Sequence, residues 1–390
     1  MKTDVPETVV DLLQLMVRCD TVNTALSGQA CPEAELSQRL QSLAESVGFA
    51  TRRLAVEGQA DNLLIRFEVD PSRPWLLFDS HLDTVSTDGM SIDPFGAAVE
   101  DGRLYGRGSC DTKGTGAAML WALKAYAADK STDRPNNVAL LYSVDEEITM
   151  TGIRSFVEND LPKLGFRPVG AVVGEPTMHQ PVIAHNGCLR WRITTHGVAA
   201  HSAIPDAGMS AISMMAKVVR AIESNYIARL SAVDRLTGSA ACSINMIHGG
   251  TAPNVIPNAC HIEIDRRLVP GENADDVLPA VDRVIEPVKQ QHPDLKYSQQ
   301  VVVQHPPLIG DDSGDLLGAI QKVLSRFNLP PRPLGAPFAT NAGYLARAGV
   351  PTVIIGPGDP FKAHTEGEWI GLDQLHQGVE VYRAIMQQVV

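Results

Sequence analysis

The chain has 390 residues, 44% of them hydrophobic and 20% charged, with a formal net charge of -12. A length well beyond roughly 250 residues favours two domains over one enlarged core. The acidic balance and the lack of any Lys/Arg run leave no stripe for phosphates, so nucleic acid is not an expected partner.

The first apolar stretch, VVDLLQLMV, is broken by Asp11 and Gln14 as in an amphipathic helix, unlike a signal-peptide core. Nowhere does an apolar run approach the roughly 20 residues of a membrane span, and a cytoplasmic protein is expected. Short apolar runs follow: NLLIRF from Asn62, WLLFDS from Trp75, VALLYSV from Val138, AVVGEP from Ala171 and VPTVIIGPG from Val350. Helical patterns separate several of them, including TKGTGAAMLWALKAYAAD, which opens after the Gly-rich turn LYGRGSCD. Near-continuous apolar runs alternating with helices predict an α/β fold, a mostly parallel sheet covered on both faces as an α/β/α sandwich. The texture changes near Gly187: LRWRITTHG, CSINMIHGG and ACHIEIDRRLV read as half-buried strands, and GMSAISMMAKVVRAIESN and ADDVLPAVDRVIEPVKQQ as amphipathic helices. These predict an α+β domain over 187–302, inserted into a domain made of 1–186 and 303–390. The six cysteines stand far apart with no CxxC pair, which fits reduced thiols.

Six side chains carry the functional reading: His81, Asp111, Glu146, Glu147, Glu175 and His364. Each follows an apolar run or closes the Gly-rich turn, and in α/β sheets ligands collect beyond the carboxyl ends of strands. Singly, each has a bland explanation: a surface pair for His81 with Asp83, a helix cap for Asp111, a solvated turn for the two glutamates. Jointly, two histidines and four carboxylates suit a pair of divalent metals with one carboxylate left as a base. Asp83, two residues after His81, is placed to orient the imidazole. Glu146 and Glu147 are adjacent, and neighbours in an extended segment point opposite ways, so one can bind metal while the other faces substrate. Two divalent ions contribute +4, which three carboxylates and one hydroxide balance; a neutral site is buried at modest cost.

The stretches SHLDTV, GRGSCDTKG, SVDEE, VVGEPT, GVAAHSAIPDAGMSAI, GGTAPNVIPNA, IDRRLVPGE and GPGDPFKAHTEGEWI resemble, in order, the zinc metallopeptidase family of acetylornithine deacetylase, succinyl-diaminopimelate desuccinylase, aminoacylase-1 and carboxypeptidase G. The resemblance implies that Asp111 bridges two ions, that His81 and Glu175 complete one site and Glu147 and His364 the other, and that Glu146 is the general base with Asp83 behind His81. It implies zinc, with cobalt or manganese as alternatives. It also implies that 187–302 is a dimerisation domain of a homodimer, that His201 reaches the partner's active site, and that Asn254 and Arg267 bind the substrate carboxylate. Arg266, out of phase with Arg267, is expected at the surface.

What the resemblance implies chemically is hydrolysis of an N-acyl-L-amino acid amide, and the end of the chain looks most like acetylornithine deacetylase. A dipeptidase, a carboxypeptidase or a succinyl-diaminopimelate desuccinylase would use the same centre, and a metal-dependent binding protein would lack need of a spare base. The deacetylase pattern has an acidic residue after the threonine of this segment. Here Asn341 follows Thr340, and an uncharged amide would hold a cationic ornithine side chain less well.

Overall fold

The computed structural model describes residues 5–130, 133–311 and 314–389. The chain divides into two compact units, Met1–Ile183 with Gly310–Leu334 and Thr340–Val390, and Ala184–Ile309 with Gly335–Ala339. In chain order the strands used below are β1 (Ala50–Leu54), β2 (Asn62–Phe67), β3 (Trp75–His81), β4 (Asn137–Ser143), β5 (Pro168–Val173), β6 (Val182–His185), β7 (Gly187–His196), β8 (Ala241–Gly249), β9 (Ala259–Leu268), β10 (Lys296–His305), β11 (Leu334–Ala336) and β12 (Thr352–Ile354). The helices are α1 (Val9–Val17), α2 (Lys113–Ala128), α3 (Ala211–Asn225), α4 (Val277–Gln291), α5 (Ala342–Arg347) and α6 (Leu372–Met386).

The large sheet runs β1-β2-β4-β3-β5-β12-β6-β11. Its four central strands are parallel, β3 lying between β4 and β5 and β12 beside β5. Antiparallel pairs flank them, β1 with β2, β2 with β4 and β6 with β12. Every residue of β3 and β4 is buried, which is why these segments read as continuous apolar runs and not as alternating ones. Helix α2 packs on β3 and β4 and is itself flanked by α1 and α6. That double cover explains why nearly its whole circumference is apolar. It also lies close to the sheet: a Cβ on Gly116 would sit 2.9 Å from Tyr142 Cε1 and 3.0 Å from Ser80 Oγ. Helix α1 begins with a capping box, the Thr8 side chain accepting from Asp11 N and Asp11 accepting from Thr8 N. Among the described residues no helix is long and apolar enough to cross a membrane.

The second unit holds an antiparallel sheet in the order β8-β9-β7-β10. Helix α3 packs on β7 and β9 and also contacts α4. The core comprises Leu189, Trp191 and Ile193 of β7, Ile262, Ile264 and Leu268 of β9, and Met215, Val218, Val281 and Ile285 of the helices. Burial alternates along β9, with Cys260, Ile262, Ile264, Arg266 and Leu268 covered. The expected surface position of Arg266 is therefore wrong: it is 2% exposed, and its guanidinium donates to Glu272 Oε1 at 2.5 Å and Tyr226 Oη at 3.3 Å. Alternation separates two neighbours to opposite faces, but only the packing of helices decides which face is covered. Arg267 lies on the other face, its Nε 2.8 Å from Asp265 Oδ1.

Candidate metal centre

Parallel pairing of β3 with β4 sets His81 opposite Ser143, so the chains leaving both strands emerge side by side. Leu82 N donates to Ser143 O at 2.9 Å. The buried carboxylate of Asp83 then binds the next turn: Oδ1 accepts Glu146 N at 2.9 Å and Oδ2 accepts Glu147 N at 3.1 Å. Residues 146–149 form a turn after Asp145, which has φ 58°, and not the extended segment expected. The two glutamates still part company. Glu147 Oε1 lies 3.1 Å from His364 Nε2, whereas Glu146 Oε1 is buried without a hydrogen-bond partner.

His81 Nδ1 faces the main-chain oxygen of Asp83 at 3.0 Å, with the Asp83 carboxylate slightly farther at 3.4 Å. This leaves Nε2 directed at Asp111 Oδ1, 3.2 Å away. Asp111 Oδ2 is 3.3 Å from His364 Nε2. Donor atoms of His81, Asp111 and Glu147 all lie within 4.8 Å of one another. Glu175, 6% exposed, follows β5 by two residues; its carboxyl interacts electrostatically with Asp111, Glu146, His81 and Glu147.

Asp111 is held by a residue the sequence reading missed. Glu368 Oε1 accepts Cys110 N at 2.9 Å and Asp111 N at 3.0 Å, while Oε2 pairs with Arg107 Nη1 at 2.6 Å. Glu368 is fully buried and Arg107 3% exposed. The only sequence signal was an acidic residue four positions after His364, in HTEGE, facing an arginine in GRG. Cys110 is buried, and its Sγ donates to Asp359 O at 3.4 Å. All six cysteines are free thiols.

The charges explain what this geometry suits. Burial pushes the Glu146 and Glu175 carboxyls well above the usual range, Glu147 and Asp83 adding to it for Glu146 and Asp111 and Glu146 for Glu175. Burial raises Glu147 as well. His364 moves the other way in charge, pushed up to about 11 by its hydrogen bonds to Asp111 and Glu147. Burial opposes the charged forms of Asp111 and His81, yet the histidines hold the Asp111 carboxyl below its usual range, and Asp111 and Asp83 hold the His81 imidazole above its own. A buried group of carboxylates that disfavour one another's charge, joined by two imidazoles, is a donor set that divalent cations satisfy.

In the second unit, His201 and Asn254 lie on one short ribbon: His201 pairs with Val255, and Ser202 N donates to Asn254 O at 3.0 Å. His201 is exposed, and its Nδ1 accepts Ala203 N at 3.1 Å. Arg267 stands apart from that ribbon, on β9 beside Asp265.

The side chain of Asn341 is turned into the fold. It is 1% exposed at the start of α5, and its Nδ2 donates to Asp79 Oδ2 and Ser143 Oγ, both at 2.9 Å. Nδ2 is thereby committed inside the fold, whereas Oδ1 is buried without a hydrogen-bond partner.

Residues 77–388 match the sequence pattern of Peptidase family M20/M25/M40. A protein named acetylornithine deacetylase from Yersinia pseudotuberculosis is 32% identical over 308 residues, covering 76% of this chain and 74% of its own. Another of that name, from Pectobacterium carotovorum, is 28% identical over 381 residues, 95% of this chain and 94% of its own. Among solved structures, an M20 family metallo-carboxypeptidase from Sulfolobus solfataricus shares the fold with a TM-score of 0.81 at 16% identity, over 98% of this chain and 99% of that one. With most of the chain matched, this protein belongs to peptidase family M20/M25/M40 and is a metal-dependent hydrolase.

Proposed function

We propose that this hydrolase cleaves the amide of an N-acyl-L-amino acid, with N-acetyl-L-ornithine as the first candidate substrate and acetate and ornithine as products. One observation carries the reading: His81, Asp111, Glu147 and His364 converge while the neighbouring Glu146 keeps a buried oxygen free of any partner. His81, Asp111 and Glu175 would hold one divalent ion, and Asp111, Glu147 and His364 a second, zinc being favoured over cobalt or manganese. Bound ions supply Lewis acidity toward the amide oxygen and ease deprotonation of water. Glu146 then takes a proton from the attacking water and returns it to the leaving nitrogen, acting as general base and then general acid. Asp83 fixes His81 through its main-chain oxygen and the two glutamates through its carboxylate.

The second unit would serve as the dimerisation domain of a cytoplasmic homodimer. Exposed His201 would donate to the developing oxyanion of the partner's site, and Asn254 and Arg267 would bind the α-carboxylate. The acetyl and ornithine assignments rest on likeness to the two deacetylases, and the burial of Asn341 weakens the one sequence argument against them.

The test is a panel of N-acetyl and N-succinyl amino acids and dipeptides, offered to metal-loaded and chelator-treated protein. The expected result is metal-dependent release of amine with N-acetylornithine giving the highest kcat/KM. A higher kcat/KM on dipeptides would replace the deacylase reading with a dipeptidase. Stoichiometric metal binding without cleavage of any amide would leave a binding protein.

A further inference from the structure

From the Asp83 carboxylate a polar cluster continues into the fold, and its other members have no part in the proposed reaction. Asn23 is fully buried at the end of a segment tied to residue 84: Asn23 N donates to Thr84 O at 2.9 Å, and Thr84 N donates to Thr21 O at 3.0 Å. Its side-chain amide is completely committed. Nδ2 donates to Asp83 Oδ2 at 2.8 Å and to Asp145 Oδ1 at 2.9 Å, and Oδ1 accepts Ala25 N at 3.0 Å.

The two carboxylates it joins belong to different loops. Asp83 follows β3 and accepts the main-chain N–H groups of Glu146 and Glu147. Asp145 follows β4 and closes its own turn by accepting from Thr149 Oγ1 and, at 3.3 Å, from Thr151 N. Asp145 itself sits at φ 58°, a conformation a non-glycine residue keeps only when neighbours hold it. Glu33 adds to the demand. It is fully buried, and its carboxyl is electrostatically coupled to Asp83 and Asp145. Without the Asn23 amide between them, the buried carboxyl groups of Asp83 and Asp145 would each lose a hydrogen-bond donor and be left facing one another.

We propose that Asn23 is a positioning residue that clamps Asp83 to Asp145 and so fixes the turn presenting Glu146 and Glu147. This rests on the roles given to those glutamates under the proposed function. Asn23 touches neither substrate nor metal; it acts through two carboxylates, and both amide hydrogens are needed because each carboxylate takes one. Asn23→Asp is the informative change, being nearly isosteric while removing both amide donors.

The experiment combines hydrogen exchange and kinetics on the metal-loaded full-length protein. In Asn23→Asp the amides of 144–149 should exchange at least about tenfold faster than in wild type, with those of 137–143 unchanged. The variant's kcat should fall about 10- to 100-fold, as when groups supporting a metal site are lost, while KM moves less than about threefold. A purely structural role would instead speed exchange throughout β4 and lower stability without this split. Should Asn23→Asp fail to fold, Asn23→Ser, which keeps one donor, is read by the same criteria with a smaller loss. Wild-type exchange at 144–149 in the variant that folds would overturn the inference. A wild-type protein that hydrolyses no acyl amino acid would sink the proposed function, and the exchange measurement would still decide whether Asn23 holds the turn.

Discussion

Asn341→Asp would set a second carboxylate against the buried Asp79, whose carboxyl burial already pushes up to about 6. An unpaired buried charge costs about 3–5 kcal/mol, so the variant should melt far below wild type, while its ranking of acyl amino acids stays unchanged. Thermal melts and the substrate panel check this together; a switch in substrate preference at full stability would restore Asn341 to the binding pocket. Glu146→Ala should retain its metal and fold and lose turnover by about two to four orders of magnitude. Near-wild-type turnover in that variant, with metal content confirmed, would remove Glu146 from the role of base. At this scale the sequence pointed to His81 and Glu175 as candidates because one ends and the other follows an apolar strand, where α/β folds keep their chemistry. It could not expose Asn341, whose partner Asp79 lies 262 positions away. Nor could it tell that Arg266 points under the helices of the second unit, since the phase of a strand is visible in the sequence and the side that is covered is not.

Turns and loops, more than strands, decide where the candidate ligands stand. Glu368 spans 258 and 257 positions to hold Cys110 N and Asp111 N. Glu368→Ala would free both amides and leave Arg107 buried without its partner, costing about 3–5 kcal/mol and weakening metal affinity about 10- to 100-fold. Calorimetric titration with zinc and a thermal melt would show both losses, and unchanged zinc affinity would confine Glu368 to stability alone. The loop after β5 carries a different liability. His179 is 1% exposed, its Nδ1 lacks a hydrogen-bond partner, and burial pushes its imidazole down to about 4. Because its ordinary value is near 6.5, the unfolded chain takes up a proton below that pH which the folded chain refuses. Its contribution is therefore intact above about pH 6.5 and declines as pH falls toward 4, a loss of about 3 kcal/mol from this one group. Urea midpoints at pH 7 and pH 5 should differ less in His179→Gln than in wild type. Equal differences would assign the acid sensitivity elsewhere. Such details were hidden because a strand end announces itself by its apolar run, whereas the turn at 146–149 and the Glu368 tie depend on hydrogen bonds between distant segments.

On the scale of the molecule, the residues of the proposed reaction are divided. The candidate ligands and Glu146 belong to the first unit, and His201, Asn254 and Arg267 belong to the second, made of Ala184–Ile309 with Gly335–Ala339. If His201 acts on the partner's site in a two-fold dimer, Glu146→Ala and His201→Ala damage opposite contributions. In a mixed dimer one site receives both lesions, and the other receives an intact Glu146 from one chain and an intact His201 from its partner. Each variant alone should be nearly inert, whereas an equal mixture after subunit exchange should recover up to about a quarter of wild-type activity, since about half the dimers are mixed and each has one complete site. If His201 serves its own chain, no site in the mixture is ever complete and activity stays at the level of the separate variants. Tagging the two variants differently and isolating the mixed dimer makes the comparison direct, because a mixed dimer that forms and remains inert rules out action across subunits.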